Sequence, residues 1–250
     1  PTSTPAPAPA TTQAPTATPD PIPTATAIAS TPTPATGVIE PPTATPSSLP
    51  VLTPTPTPTP EQSAPVAVTL VPTQDATIWE GEASKASGAG ANLFAGKNNR
   101  GQARRALLQF DIAAAIPAGA TVVSASLSLS TNKTAASGTG SPLSLHTLSL
   151  SWGESSSNAG TGGSGATAQP GDVTWTWREF STVAWDMAQA GGVFTSTSSG
   201  TSTTASWAST ADLVHDVQSW LDNPATNHGW IIIGDEATNQ SVRRLDSRES

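Results

Sequence analysis

Two alternating stretches decide the fold class: Arg-Arg-Ala-Leu-Leu-Gln-Phe-Asp-Ile at residues 104–112 and Thr-Val-Val-Ser-Ala-Ser-Leu-Ser-Leu-Ser-Thr at 121–131. In the first, every second residue from Ala106 to Ile112 is apolar. In the second, every second residue from Val123 to Leu129 is apolar and serines stand between them. This period of two is typical of a strand that buries one face. Both stretches therefore predict half-buried β-strands, joined by the turn residues Pro117-Ala-Gly119.

Other segments predict further strands. Leu143 to Trp152 also alternates, but its phase slips at His146-Thr147, which predicts a β-bulge. A Gly- and Ser-rich stretch, roughly 153–171, predicts a long loop, and after it Val173, Trp175 and Trp177 share one face of a strand. The remaining predicted strands are Val66–Val71, Ala76–Trp79, Trp230–Ile233 and Val242–Ser247.

One helix is predicted near the C-terminus. Leu213, Val217 and Trp220 lie at helical spacing, together with Val214 and Leu221. Ser209 or Thr210 can cap the start of this helix, and Pro224 prevents its continuation. The opposite face, predicted to be turned away from the core, carries His215, Asp216, Ser219 and Asp222. Many short strands with one short helix predict an all-β fold, a jelly-roll β-sandwich.

The N-terminal part has a different composition. All but four of the 24 prolines lie at or before Pro72, whereas every aromatic residue lies from Trp79 onward. Residues 1–65 therefore have little to bury, and we predict a disordered Pro/Thr/Ala-rich linker or stalk before a module at 66–250. The Thr-Pro alternation favours extended polyproline II. An O-glycosylated stalk and an unmodified linker are both compatible with it.

Charge and composition exclude several classes of function. The net charge of the 250-residue chain is −8, and the module remains acidic without the three acids of the stalk, which argues against generic nucleic-acid binding. No apolar run approaches the roughly 20 residues needed to span a bilayer. The absence of cysteine excludes disulfides and thiolate sites. The chain begins at Pro1 without an initial Met or a signal peptide, so we expect a fragment or a processed form of an exported protein, with additional domains outside it.

A series of short motifs in a fixed order carries a family resemblance. The motifs are Asp75-Ala-Thr-Ile78, Arg105-Ala-Leu-Leu-Gln-Phe-Asp111, Ile116-Pro-Ala-Gly-Ala-Thr121, Ser124-Ala-Ser-Leu127, Trp152-Gly-Glu154, Asp172-Val-Thr-Trp175, Asp216-Val-Gln-Ser-Trp-Leu221, Asn227-His-Gly-Trp-Ile231 and Arg244-Leu-Asp-Ser-Arg-Glu249. Together they resemble the DNRLRE domain family, which is grouped with the family 96 carbohydrate-binding modules. The resemblance implies a jelly roll on secreted prokaryotic proteins, with acidic polysaccharides such as alginate bound by some members. It also implies one further strand after Glu249, which this chain lacks.

The predicted carbohydrate-binding residues are two tryptophans and four arginines. Trp185 and Trp207 lie in polar, Gly/Ser-rich surroundings, where an exposed ring can stack on a sugar; a core position is the alternative. Arginine grips carboxylates at two points, so an acidic glycan would need such cations. The arginines form the doublets Arg104, Arg105 and Arg243, Arg244. Ordinary pairing with Asp111, Asp246 or Glu249 is the alternative for them.

Metal binding and catalysis receive less support from the sequence. Five acids, Asp75, Glu80, Glu82, Asp235 and Glu236, could supply oxygen ligands to a structural calcium ion, but no strict calcium-loop spacing is present. No nucleophile elbow or zinc-protease motif accompanies the three histidines. We therefore expect an extracellular, non-catalytic module that tethers an exported protein to polysaccharide. A structural or adhesive surface spacer without a small ligand is the alternative.

Overall fold

The computed structural model describes residues 64–186 and 190–250. The predicted stalk lies almost wholly outside these residues. In the described part of the chain, the strands and helices are β1 (Gln74–Trp79), β2 (Lys85–Ser87), β3 (Asn92–Lys97), β4 (Ala103–Gln109), α1 (Ile112–Ala115), β5 (Leu127–Ser128), β6 (Thr131–Thr134), β7 (Leu143–Thr147), β8 (Ala166–Thr167), β9 (Trp177–Glu179), β10 (Val183–Ala184), β11 (Gly200–Ser202), β12 (Ser206–Trp207), α2 (Ala211–Asp222), β13 (Trp230–Ile233) and β14 (Arg243–Asp246).

The strands form curled antiparallel sheets. The main sheet runs in the order β11-β7-β13-β4-β1-β2-β8. A branch leaves it where the β3–β4 hairpin pairs Gly96 with Arg104, and this branch continues through β14 to β6. The pairs β9–β10 and β5–β12 are separate two-stranded sheets. The all-β sandwich class predicted from the sequence is confirmed, with a one-turn helix, α1, in addition to the predicted one.

The larger core lies between the main sheet and its branch. It joins apolar residues of β4, β7 and β13, such as Leu108, Leu145 and Ile232, to Leu93 of β3 and Leu245 of β14. Helix α2 closes the side of this core with the predicted residues Leu213, Val217, Trp220 and Leu221. Its cap is also as predicted, because the Thr210 hydroxyl accepts the Leu213 N–H at 3.0 Å.

A second core covers the opposite face of the main sheet. Ile78, Leu107 and Ile231 project from the sheet to this side. The segment after β7 packs over them through Leu148, Trp152, Val173 and Trp185. Strand β4 is therefore buried on both faces, whereas the sequence pattern predicted only one buried face. This arrangement leaves little of the central sheet free to meet a ligand.

One predicted strand is absent, and another forms only in part. Residues 66–71 form no strand, and Val66 and Val71 are 87% and 76% exposed, because no neighbouring strand pairs with them. Within 121–131, pairing occurs only at β5, where Leu127 faces Trp207 across the sheet, and at the first residue of β6. Val123, predicted to point inward, is exposed, whereas Val122 packs against the larger core.

Two further predictions need correction. The phase slip at His146-Thr147 is not a bulge, since β7 pairs with β13 in continuous register. It is a change of core: Leu143 and Leu145 enter the larger core, and Leu148 enters the second one. Val173 to Trp177 is not one continuous strand either, because the Thr174 N–H donates to the Trp177 carbonyl at 2.7 Å and closes a turn.

Candidate functional site

The two tryptophans predicted to stack on sugar are core residues. Trp185 and Trp207 are each 2% exposed. The indole N–H of Trp185 donates to the Thr174 carbonyl at 2.9 Å, and that of Trp207 donates to the Leu143 carbonyl at 3.3 Å. Such burial is the opposite of the exposed position that the stacking prediction requires. The polar residues next to them in sequence did not indicate exposure. A tryptophan can be buried among polar neighbours when its indole N–H donates to a backbone carbonyl, as both do here.

One member of each arginine doublet is buried. Arg243 donates to the carbonyls of Gly138 and Ser141 in one turn and of Thr203 in another segment, so its guanidinium holds both segments to β14. Arg104 is 5% exposed and donates to the Ala103 carbonyl. Burial lowers the pKa of both side chains, and for Arg104 the charges of Glu82 and Glu80 act in the opposite direction. Neither guanidinium is placed to contact a polysaccharide.

Arg105 is partly exposed, but its guanidinium already has partners. It forms a two-point ion pair with Glu236 and donates to the Gly191 carbonyl at 2.7 Å. The guanidinium carbon also lies 4.8 Å from the centroid of the Trp175 ring and 5.3 Å from that of Phe194. Arg105 therefore anchors the segment that covers the second core.

Arg244 is the arginine of the predicted set that lies on an accessible cationic surface. It lies opposite Lys133 in the β14–β6 register, so the two side chains share one face. Strand β6 is exposed at all four residues, and the Lys133 ammonium forms no hydrogen bond or ion pair with another described residue. We call Lys133, Arg244 and Asn132, which bonds to Arg244, the cationic face.

Asn132 organises the cationic face. The pairing of β6 with β14 shifts register between Arg244 and Leu245, which leaves Asn132 as the extra residue of a bulge. Its side-chain oxygen accepts a hydrogen bond from the Arg244 guanidinium, and its side-chain nitrogen donates to Asp246. Arg244 also donates to the Thr161 carbonyl at 3.2 Å. The guanidinium is thus held in place while the Lys133 ammonium stays in solvent.

The five carboxylates considered for calcium do not converge on one point. Glu80 accepts the Ala103 N–H, Glu236 binds Arg105, and Asp235 accepts the N–H groups of Ala237 and Thr238. Asp75 lies in a separate cluster. Among the described residues, no group of three or more metal-ligating side chains is positioned to hold an ion.

Four motif residues from three distant parts of the sequence meet in one cluster. Asp75 accepts the backbone N–H of Arg248 at 2.8 Å, and the Arg248 guanidinium binds Glu154 at 2.8 Å and Glu249 at 2.6 Å. Burial raises the pKa of Asp75 to about 6 and that of Glu154 to about 7. The cluster fastens the end of the chain to β1, which is a structural role.

A polar groove that the sequence analysis missed lies beside helix α2. Its volume is about 680 Å³. One wall carries Asp212, His215 and Asp216 of α2, and another is the hydroxyl-bearing run Thr195–Ser199. We call it the α2 groove. The sequence carries one signal of this groove, since the helix face predicted to turn away from the core bears His215, Asp216 and Ser219. That face lines the groove rather than open solvent.

Asp216 connects this groove to the core. Its carboxylate accepts the indole N–H of Trp230 at 2.8 Å and also a hydrogen bond from the Ser199 hydroxyl. Burial nevertheless raises its pKa. Burial lowers the pKa of His228, another residue of the groove, and the charge of Arg178 acts in the same direction. His228 therefore stays neutral near pH 7, with one ring nitrogen donating and one accepting.

A family comparison covers the first five of the nine motifs. Residues 66–161 match carbohydrate-binding module family 96. The resemblance seen in the motifs is confirmed over this segment, which indicates a carbohydrate-binding module. The family 96 segment runs from before β1 to beyond β7 and includes Lys133, whereas Arg244 and helix α2 follow it. No curated protein matches the chain. None of the helices in the described residues is long and apolar enough to cross a membrane.

Proposed function

We propose that this chain is a non-catalytic carbohydrate-binding module of an extracellular protein, which it tethers to an acidic polysaccharide. The match of residues 66–161 to family 96 carries the carbohydrate part of the proposal. The adjacent side chains of Lys133 and Arg244 support the acidic preference, because two cations on one face can meet successive carboxylates of a polymer. The chain carries a net charge of −8, so its surface as a whole does not favour an acidic polymer.

The chemistry of the cationic face suits a uronate better than a neutral sugar. Lys133 offers three donors and no acceptor, and the remaining N–H groups of Arg244 are donors as well. A carboxylate accepts from both, whereas a neutral hydroxyl gains less from a charged donor that must give up its water. Asp246, held by Asn132, lies on the same face and opposes indiscriminate anion binding.

A panel of polysaccharides tests the proposal directly. The full chain is run by affinity electrophoresis through gels that contain alginate, polygalacturonate, xylan or mannan. Retardation by an acidic polymer that is relieved by 0.5 M salt, about a 4 Å screening length, is the expected result. Retardation by neutral polymers alone, or none in any gel by a folded chain, would contradict it.

A structural or adhesive spacer is the second candidate, and one observation favours it. Six of the eight tryptophans are buried, at Trp79, Trp152, Trp185, Trp207, Trp220 and Trp230. The two that keep partial exposure are Trp175, which is occupied by Arg105, and Trp177, which packs edge-on to Phe180. No described tryptophan thus forms an open stacking platform, and a folded chain that no glycan retards would favour the spacer.

A further inference from the structure

The α2 groove has the size and polarity of a small-molecule site. Its volume of about 680 Å³ lies within the roughly 300–1,000 Å³ typical of ligand pockets. Most of its lining residues carry hydroxyl, carboxylate or imidazole groups, and the nearly buried Leu148 and Trp220 add little exposed surface. It lies apart from the cationic face, since none of Asn132, Lys133 and Arg244 lines it.

Several polar groups of the groove have no partner within the described residues. The hydroxyls of Ser149, Ser196 and Thr197 and the carboxylate of Asp212 form no hydrogen bond there, and neither does the ring of His228. By contrast, Asp216 and Ser199 are already engaged with each other and with Trp230. Asp216 and Ser199 are thus held in place by these bonds, and the free polar groups near them are available to a ligand.

The charge of the groove excludes the ligand class proposed for the cationic face. Asp212 and Asp216 lie one helical turn apart on α2, and no Lys or Arg lines the groove. An acidic sugar would bring its carboxylate beside these two acids, and no lining residue offers it a cation. The wall of hydroxyls that both donate and accept, with a neutral imidazole and acceptor-only carboxylates, suits a ligand rich in hydroxyls and free of charge.

We infer that the α2 groove is a second binding site, which takes an uncharged saccharide. Asp212 accepts hydrogen bonds from sugar hydroxyls, and the hydroxyls of Ser196 and Thr197 supply donors and acceptors. His215 and His228 complete the site. The inference is independent of the acidic-polysaccharide proposal, because it uses other residues and the opposite charge preference.

The histidines provide built-in reporters. The chain has three, of which His215 and His228 line the groove and His146 does not. The ¹⁵N-labelled full chain is titrated with cello-, xylo-, manno- and N-acetylchito-oligosaccharides while ring signals are followed by NMR. Saturable shifts of His215 and His228, larger than those of His146, are expected with at least one of these sugars. No saturable shift with any of them, or shifts with an oligouronate alone, would overturn the inference.

Matched variants then locate the site. Asp212→Ala should weaken neutral-sugar binding at least fivefold, whereas Asp222→Asn, on the same helix but outside the groove, should leave it unchanged. Lys133→Ala should also leave it unchanged; if it abolishes neutral-sugar binding, the groove is not the site. Binding of neutral sugars without binding of acidic polysaccharide would support the groove site and refute the proposed function. Binding of acidic polysaccharide without binding of neutral sugars would support the proposed function and refute the groove site.

Discussion

Arg105 and Glu236 form a two-point ion pair, with Nε 2.7 Å from Oε1 and Nη2 2.8 Å from Oε2. The guanidinium lies against the rings of Trp175 and Phe194. Gly191 closes the arrangement at φ +93°, and a Cβ there would lie 2.7 Å from an Arg105 nitrogen. Arg105, which the sequence predicted to be a sugar ligand, therefore connects the main sheet to the segment that covers it.

Replacement of Arg105 by lysine should destabilise the fold. A lysine keeps the charge but loses the two-point geometry and the planar contact with Trp175. We expect the free energy of unfolding to fall by about 1–2 kcal/mol, as measured by urea denaturation. Arg100→Lys, at an exposed turn, is the control and should change it little. Equal stability of the two variants would show that the ion pair is not structural.

Trp207 should matter for stability and not for ligand binding. Trp207→Phe removes ring volume from the larger core and the hydrogen bond to the Leu143 carbonyl. A loss of about 1–3 kcal/mol in unfolding free energy is expected, with unchanged retardation in polysaccharide gels. Lost retardation at unchanged stability would restore Trp207 as a ligand residue.

The carboxylate cluster should make stability depend on pH. The pKa values of Asp75 and Glu154 are raised to about 6 and about 7, so the folded chain binds more protons than the unfolded chain between about pH 4 and pH 7. The stabilisation is complete below the unfolded-state pKa values and is lost as the pH rises through the folded-state values. The Tm should therefore fall from pH 4.5 to pH 8.

An isosteric variant provides the control for this pH dependence. Asp75→Asn removes one titrating group but keeps an oxygen that can accept the Arg248 N–H. Its Tm should depend less on pH and should exceed that of the parent chain at pH 8. An unaltered slope, or a parent Tm that rises with pH, would refute the assignment to this cluster.

The N-terminal cap of α2 should contribute measurably. The Thr210 hydroxyl accepts the Leu213 N–H and donates to the Ser199 carbonyl at 2.6 Å, which links the helix to the wall of the α2 groove. Thr210→Ala should cost about 1 kcal/mol. Thr210→Ser should recover most of this loss, and failure of serine to do so would show that the methyl group, not the hydroxyl, is responsible.

Local sequence patterns predicted the elements that a short stretch of residues specifies by itself. Helix α2 followed from its apolar spacing and cap, and β13 from a short apolar run. Residues 66–71 had the same apolar character but no strand to pair with, and pairing is a tertiary property. The slip at His146-Thr147 was visible as a pattern, yet only the structure shows that it transfers the chain from one core to the other.

The candidate site was less predictable because the main sheet is covered on both sides. Alternation along β4 implied that either Arg104 or Arg105 would be free, whereas each face meets a core or a covering segment. Lys133 could not be paired with Arg244 from sequence, since the bulge at Asn132 sets their register. The α2 groove forms between segments far apart in sequence, so only the polar face of helix α2 could be recognised from the sequence.

Comparison of Lys133→Ala with Arg100→Ala tests the central claim most directly. Each variant removes one exposed cation, but only Lys133 lies on the cationic face. Dissociation constants for an acidic polysaccharide are measured by affinity electrophoresis at low salt. We predict binding about two- to fivefold weaker for Lys133→Ala, consistent with the loss of up to about 1 kcal/mol from an exposed ion pair, and unchanged binding for Arg100→Ala. Equal affinities of both variants and the parent chain would contradict the account.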